Sequence, residues 1–93
     1  MAALAEACNA LWMATLSLMT AFMQTSAPAH RLMLARRIAR NFATLRGEPC
    51  FNAGTQASFG RLQARWERRA QLLSPEGVRD EGAMGWLRRL LPR

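Results

Sequence analysis

Between Ala7 and Met23 the chain runs ACNALWMATLSLMTAFM without a single charge. The polar residues in and around this run are Glu6, Asn9, Ser17, Thr20 and Gln24, and with Met13 they recur at steps of three and four. That is the period of an α-helix, so the polar positions form one thin line and the rest of the circumference is apolar. Two apolar stripes result. One runs Leu4, Cys8, Leu11, Thr15, Leu18 and Phe22; the other runs Trp12, Leu16, Met19 and Met23. A helix with two apolar faces needs neighbours on more than one side.

The same period recurs twice more. Leu34, Ala35, Ile38, Phe42 and Leu45 line one side of a second helix, with Arg36, Arg37, Arg40 and Thr44 on the other. Pro28 suits its first turn, Thr25 or Ser26 can cap it, and Gly47 with Pro49 reads as its stop. After the loop GEPCFNAG, the residues Phe59, Leu62, Trp66, Ala70 and Leu73 mark a third helix. Asn52, Thr55 or Ser58 can cap it, and Phe51 is placed to staple the loop to the core. Gly60 inside it costs about 1 kcal/mol relative to alanine.

The spacing predicts an all-α fold, a small antiparallel three-helix bundle with helices over about 3–24, 27–46 and 55–73. The bundle domain covers 1–74. A linker and a short basic amphipathic tail, flexible or disordered, cover 75–93, with Met84, Trp86, Leu87, Leu90 and Leu91 opposite Arg88 and Arg89. The second stripe of helix one exceeds what two neighbours cover in such a bundle. The apolar interface expected there is Trp12, Leu16, Met19 and Met23, filled by a second copy in a homodimer or by a protein partner.

Two other readings of the first stretch compete with a core helix. Ala27-Pro28-Ala29 has the small-x-small form of a signal cleavage site, yet the segment before the apolar run has no Arg or Lys and carries Glu6, the wrong sign for a secretory leader. A membrane span would place Arg31, Arg36 and Arg37 on the cytoplasmic flank. The uncharged run is shorter than the roughly 20 residues that a bilayer asks for, and its polar residues gather on one line. A core helix with one wet edge accounts for that order.

Charge changes the picture further along. The net charge is +7 and all thirteen basic residues are arginine. They are concentrated after residue 30, where Arg36, Arg37 and Arg40 of helix two and Arg61, Arg65, Arg68 and Arg69 of helix three are the candidate binding site for an anionic partner. Side by side, those helices would offer one cationic surface, which draws phosphates without sequence preference and more weakly as salt rises. Solubilising an apolar, Met-rich chain is the plainer use of the same charge.

Candidate chemistry is sparse. Cys8, Cys50 and His30 are the only Cys and His residues, and an antiparallel hairpin puts His30 at the opposite end of helix one from Cys8. Cys50 returns toward the Cys8 end, so a bridge is geometrically open, but two thiols in a chain without a convincing secretion signal are expected to stay reduced and mostly buried. A Cα separation above about 7 Å excludes the bridge. His30 has no nucleophile or carboxylate placed beside it, and the carboxylates are scattered. No phosphate loop or metal motif is present, so no catalytic residue, metal ligand, cofactor or small-molecule substrate is assigned.

The expectation is therefore a small non-enzymatic helical interaction module, cytoplasmic and self-associating through helix one, with an arginine-rich face for an acidic partner. The alternative is a nucleic-acid-binding protein using the arginines of helices two and three, although an eight-residue connection is long for a helix-turn-helix. Attachment to a membrane surface through the tail at Trp86 is a third possibility.

Overall fold

The computed structural model describes residues 2–75. They form α1 (Ala2–Gln24), α2 (Pro28–Leu45) and α3 (Ala53–Leu73), the expected all-α antiparallel bundle, with each boundary within two residues of its predicted place. The predicted tail, from residue 76 on, lies outside the described residues.

The helix ends are made differently from the expectation in two places. Neither Thr25 nor Ser26 caps α2; Ala27 holds that position in an extended conformation with no side-chain bond, and Pro28 follows it. Proline presets the first turn and lacks one of the amides that a cap would serve. At the other end Gly47 is not a left-handed stop, since no described glycine has a positive φ. The chain instead tightens, with the Gly47 N–H donating to Thr44 O and the Glu48 N–H donating to Leu45 O, both at 3.2 Å. Such three-residue steps satisfy end carbonyls without needing a glycine. At α3 the predicted Asn52 cap is present, its Oδ1 accepting from the Thr55 N–H at 2.8 Å.

The middle helix carries the core. Ile38, Phe42 and Leu45 on α2 are completely buried, with Ala35 and Ala39 beside them. Both α1 and α3 pack against α2, whereas no Cα of α1 comes within 8 Å of one in α3. The outer helices meet through side chains, aromatic rings above all. Trp12 lies 5.9 Å from Phe42 and 5.2 Å from Phe59, centroid to centroid. Toward the other end, Phe22 stands edge-on to Trp66 at 5.0 Å. The early residue of α1 thus meets the start of α3 and the late residue meets its second half, so those two helices run parallel with α2 antiparallel between them. Phe51 is the expected staple, edge-on to Phe59 at 5.0 Å. Aromatic pairs of this geometry contribute about 0.5 to 1.5 kcal/mol each beyond the area they bury.

Between the two aromatic ends, Thr15 is the polar residue buried at the middle of α1. Its hydroxyl donates to Leu11 O at 2.7 Å, so no polar atom is stranded there.

The cysteines require a correction. Cys8 and Cys50 are bonded as a disulfide, their Cα atoms 7.1 Å apart, and neither is a free thiol. The separation is marginally past the limit of about 7 Å that the Cα criterion sets, so the bridge stands on the bonded sulfur atoms and not on that criterion. The hairpin geometry had already brought Cys50 to the Cys8 end; the expectation of free thiols rested on compartment alone. The bridge fastens the first third of α1, where Cys8 is the one fully buried residue, to the α2–α3 loop.

Two stability outcomes follow from this packing. Closing the 42-residue separation stabilises the fold by about 4 kcal/mol on chain-entropy grounds, so urea unfolding with and without a thiol reductant is expected to differ by that order. An unchanged midpoint would mean that the bridge is absent or idle. The second concerns Gly60, where an added Cβ would lie 3.3 Å from the Arg46 guanidinium carbon. That is the far end of a flexible side chain, so Gly60→Ala is expected to gain up to about 1 kcal/mol of helix propensity as Arg46 shifts aside.

Candidate interaction surfaces

The surface of α1 is the most unusual feature of the molecule. By length and composition this helix is apolar enough to cross a membrane, yet only 11% of its most apolar 18-residue window is buried. The first stripe faces inward from Cys8 on, with Cys8, Thr15 and Phe22 buried and Leu11 and Leu18 half-buried, while Leu4 at its start is exposed. The second stripe is divided. Trp12 and Met19 pack against the core, while Leu16 is 38% and Met23 67% exposed. Met13 on the outer line is 62% exposed, and Met33 on α2 is 67% exposed.

Two members of the polar line of α1 also bond within the helix. The Ser17 hydroxyl donates to Met13 O and the Thr20 hydroxyl to Leu16 O, each at 3.1 Å within the helix itself. Glu6 is the only charged residue among the 23 of this helix.

The arginines do not form one plane. Arg36 and Arg40 of α2 border an open groove of about 520 Å³ whose floor is Ala39, Ala43 and Ala70 and whose far wall carries Glu67 and Gln71. Small side chains on both helices leave that groove between their backbones. Arg37 is also exposed on α2. On α3, Arg61, Arg65 and Arg68 are exposed at positions opposite the buried Phe59, Trp66 and Ala70, and none of them borders the groove. Arg61 donates to the Ser58 hydroxyl at 2.9 Å.

Arg69 sits elsewhere again. Its guanidinium carbon is 5.1 Å from the Trp66 ring centre and 5.6 Å from that of Phe22. The spacing of Trp66 and Arg69 by three on one helix was the available signal, since such residues are neighbours on the surface. Arg31 comes to the same end of the molecule. It lies over the Phe22 ring at 4.0 Å and donates through Nη1 to Thr25 O at 2.9 Å and to Phe22 O at 3.2 Å. A cation there meets the carbonyl end of α1, where the helix dipole favours positive charge. Sequence reasoning treated Arg31 only as a flank of the apolar run. The missing step was that a turn of three residues returns it to the end of the helix it follows.

Other concavities are apolar and lie near the bridge. One of about 410 Å³ is lined by Ala2, Leu4, Ala5, Pro49 and Cys50. Among the described residues no three His, Cys, Asp or Glu side chains gather as a metal site would require. His30 is exposed in the first turn of α2. No family model matches the chain, and no curated protein or solved structure matches it significantly.

Arg31 and Arg68 provide an internal comparison. Arg31→Ala removes both carbonyl bonds and the ring contact and is expected to lower stability by about 1 to 2 kcal/mol. Lysine at that position restores only part, because it lacks the planar fork. Arg68→Ala, on the exposed side of α3, is expected to change stability by less than about 0.5 kcal/mol in thermal melts.

Proposed function

We propose that this chain is a non-enzymatic helical interaction module for an anionic partner, with α1 supplying apolar contact and the arginines of α2 and α3 supplying attraction. The observation that carries this reading is the uncovered apolar side of α1, with Leu16, Met13 and Met23 exposed, on a protein of net charge +7. Exposed apolar surface combined with one-sided charge selects partners that are both apolar and negative.

A homodimer through α1 alone is the weaker form of the idea. The 23 residues of α1 extend about 34 Å at 1.5 Å per residue. A strip about 10 Å wide along it would bury roughly 700 Å² over two copies, short of the roughly 1,200 Å² of stable interfaces. Two copies at +7 also repel. Nucleic acid is a weaker fit for a different reason. Arg36 and Arg40 share their groove with Glu67, and Arg69, although exposed, lies beside the Trp66 and Phe22 rings and away from that groove. Cytoplasmic residence was expected because the segment before the apolar run carries Glu6 and no Arg or Lys, whereas the Cys8–Cys50 bridge is the form that an oxidising compartment favours.

The test is a titration at low and high salt against several polyanions, namely heparin, generic DNA, polyglutamate and anionic lipid vesicles. At least one is expected to bind at low salt, and Arg36→Gln, Arg37→Gln and Arg40→Gln together are expected to weaken binding by about tenfold. Absence of any binding at low salt ends the proposal, because attraction to a +7 protein is greatest there.

A further inference from the structure

The anionic partner can be narrowed, and this step rests on the reading just given. We infer that α1 and the α1–α2 turn dock on an anionic lipid surface, with α1 lying in the headgroup plane rather than crossing the bilayer.

The first argument is shape. A stable protein interface needs more area than the uncovered side of α1 supplies, whereas a lipid surface requires no matching pocket and accepts a long narrow apolar strip. The second is polarity. Ser17 and Thr20 return their hydroxyl protons to carbonyls of their own helix, so their donors stay satisfied when water is withdrawn. Glu6 near the start and Gln24 at the end of α1 leave the stretch between them free of charge. The third is placement of cations. Met23 and Met33, both 67% exposed, bracket the α1–α2 turn, Arg31 of α2 folds back over the end of α1 there, and Arg69 reaches the Phe22 ring at the same end. Methionines beside arginines at one edge match an interfacial helix, whose apolar side chains enter the acyl boundary while cations remain among phosphates.

The same structure argues against spanning. Cys8 is bonded to Cys50, Thr15 is fully buried, and Phe22 is packed on Trp66, so α1 stays attached to α2 and α3 along its inner face. Only its outer side is available to lipid. This contact is also distinct from the tail at Trp86, because it belongs to the described bundle.

The experiment is sedimentation of the full chain with phosphatidylglycerol-containing vesicles and with pure phosphatidylcholine vesicles, at low and high salt. The wild type is compared with Met13→Glu/Met23→Glu, which alters two exposed positions. The expected result is partition to the anionic vesicles at least tenfold stronger than to the neutral ones, weakened by salt. The double variant should lose about tenfold while its thermal unfolding midpoint stays close to the wild-type value. Unchanged partition of the double variant would overturn the assignment to α1. Binding of polyglutamate or DNA with no vesicle partition would overturn the lipid inference while the module reading stands. Failure to bind any polyanion would remove both. A concentration-dependent dimer that Met23→Glu dissociates, with no vesicle partition, would make a second copy the occupant and likewise overturn the inference.

Discussion

The fold depends on how much of α1 the ring contacts at Phe42 can hold. That residue is fully buried on the middle helix, and Trp12 of α1 and Phe59 of α3 both pack near it. Since α1 and α3 have no close backbone approach, this cluster and the Phe22–Trp66 pair are where the outer helices are joined. Everything else about α1 follows from that arrangement. It is anchored at two levels along one face and left open on the other.

The two ends of α1 are secured by different chemistry. At the beginning, a covalent bridge to the α2–α3 loop holds residues that have almost no buried surface of their own. At the end, Phe22 is buried and Arg31 covers both its ring and the adjacent carbonyls. Hydrophobic packing, a π-face and a helix dipole act together there. The beginning has no comparable set, so the bridge matters most where packing is thinnest.

Much of the architecture was legible in the sequence because helical period and burial coincide. The stripe Cys8, Thr15, Phe22 on α1 and the line Ile38, Phe42, Leu45 on α2 are buried as their spacing predicts. The second stripe was read correctly as a surplus, but its outcome could not be read residue by residue. Trp12 and Met19 pack against the core and Leu16 and Met23 are exposed, a division within one stripe that helical spacing does not encode. The cationic site was the least legible part. Residues equally basic in sequence separate into Arg36 and Arg40 on a groove, Arg61, Arg65 and Arg68 on the back of α3, and Arg69 on aromatic rings. All of these residues are exposed, and three-dimensional neighbours, rather than residue type, decide what each guanidinium group borders. The bridge illustrates a related limit. Helix geometry brings Cys8 and Cys50 to one end of the bundle, while their oxidation state depends on surroundings that a sequence does not contain.

The central claim is that α1 is a one-sided helix, held by packing at its C-terminal end and by the disulfide at its N-terminal end. Hydrogen–deuterium exchange along α1, in the oxidised and the reduced protein, tests it most directly. Reduction is expected to speed exchange greatly in the first turns, through about Cys8, while amides near Phe22 keep most of their protection. Uniformly slow exchange along the whole of α1 in both states would contradict it, because the helix would then be buried or held in a way that this packing does not provide.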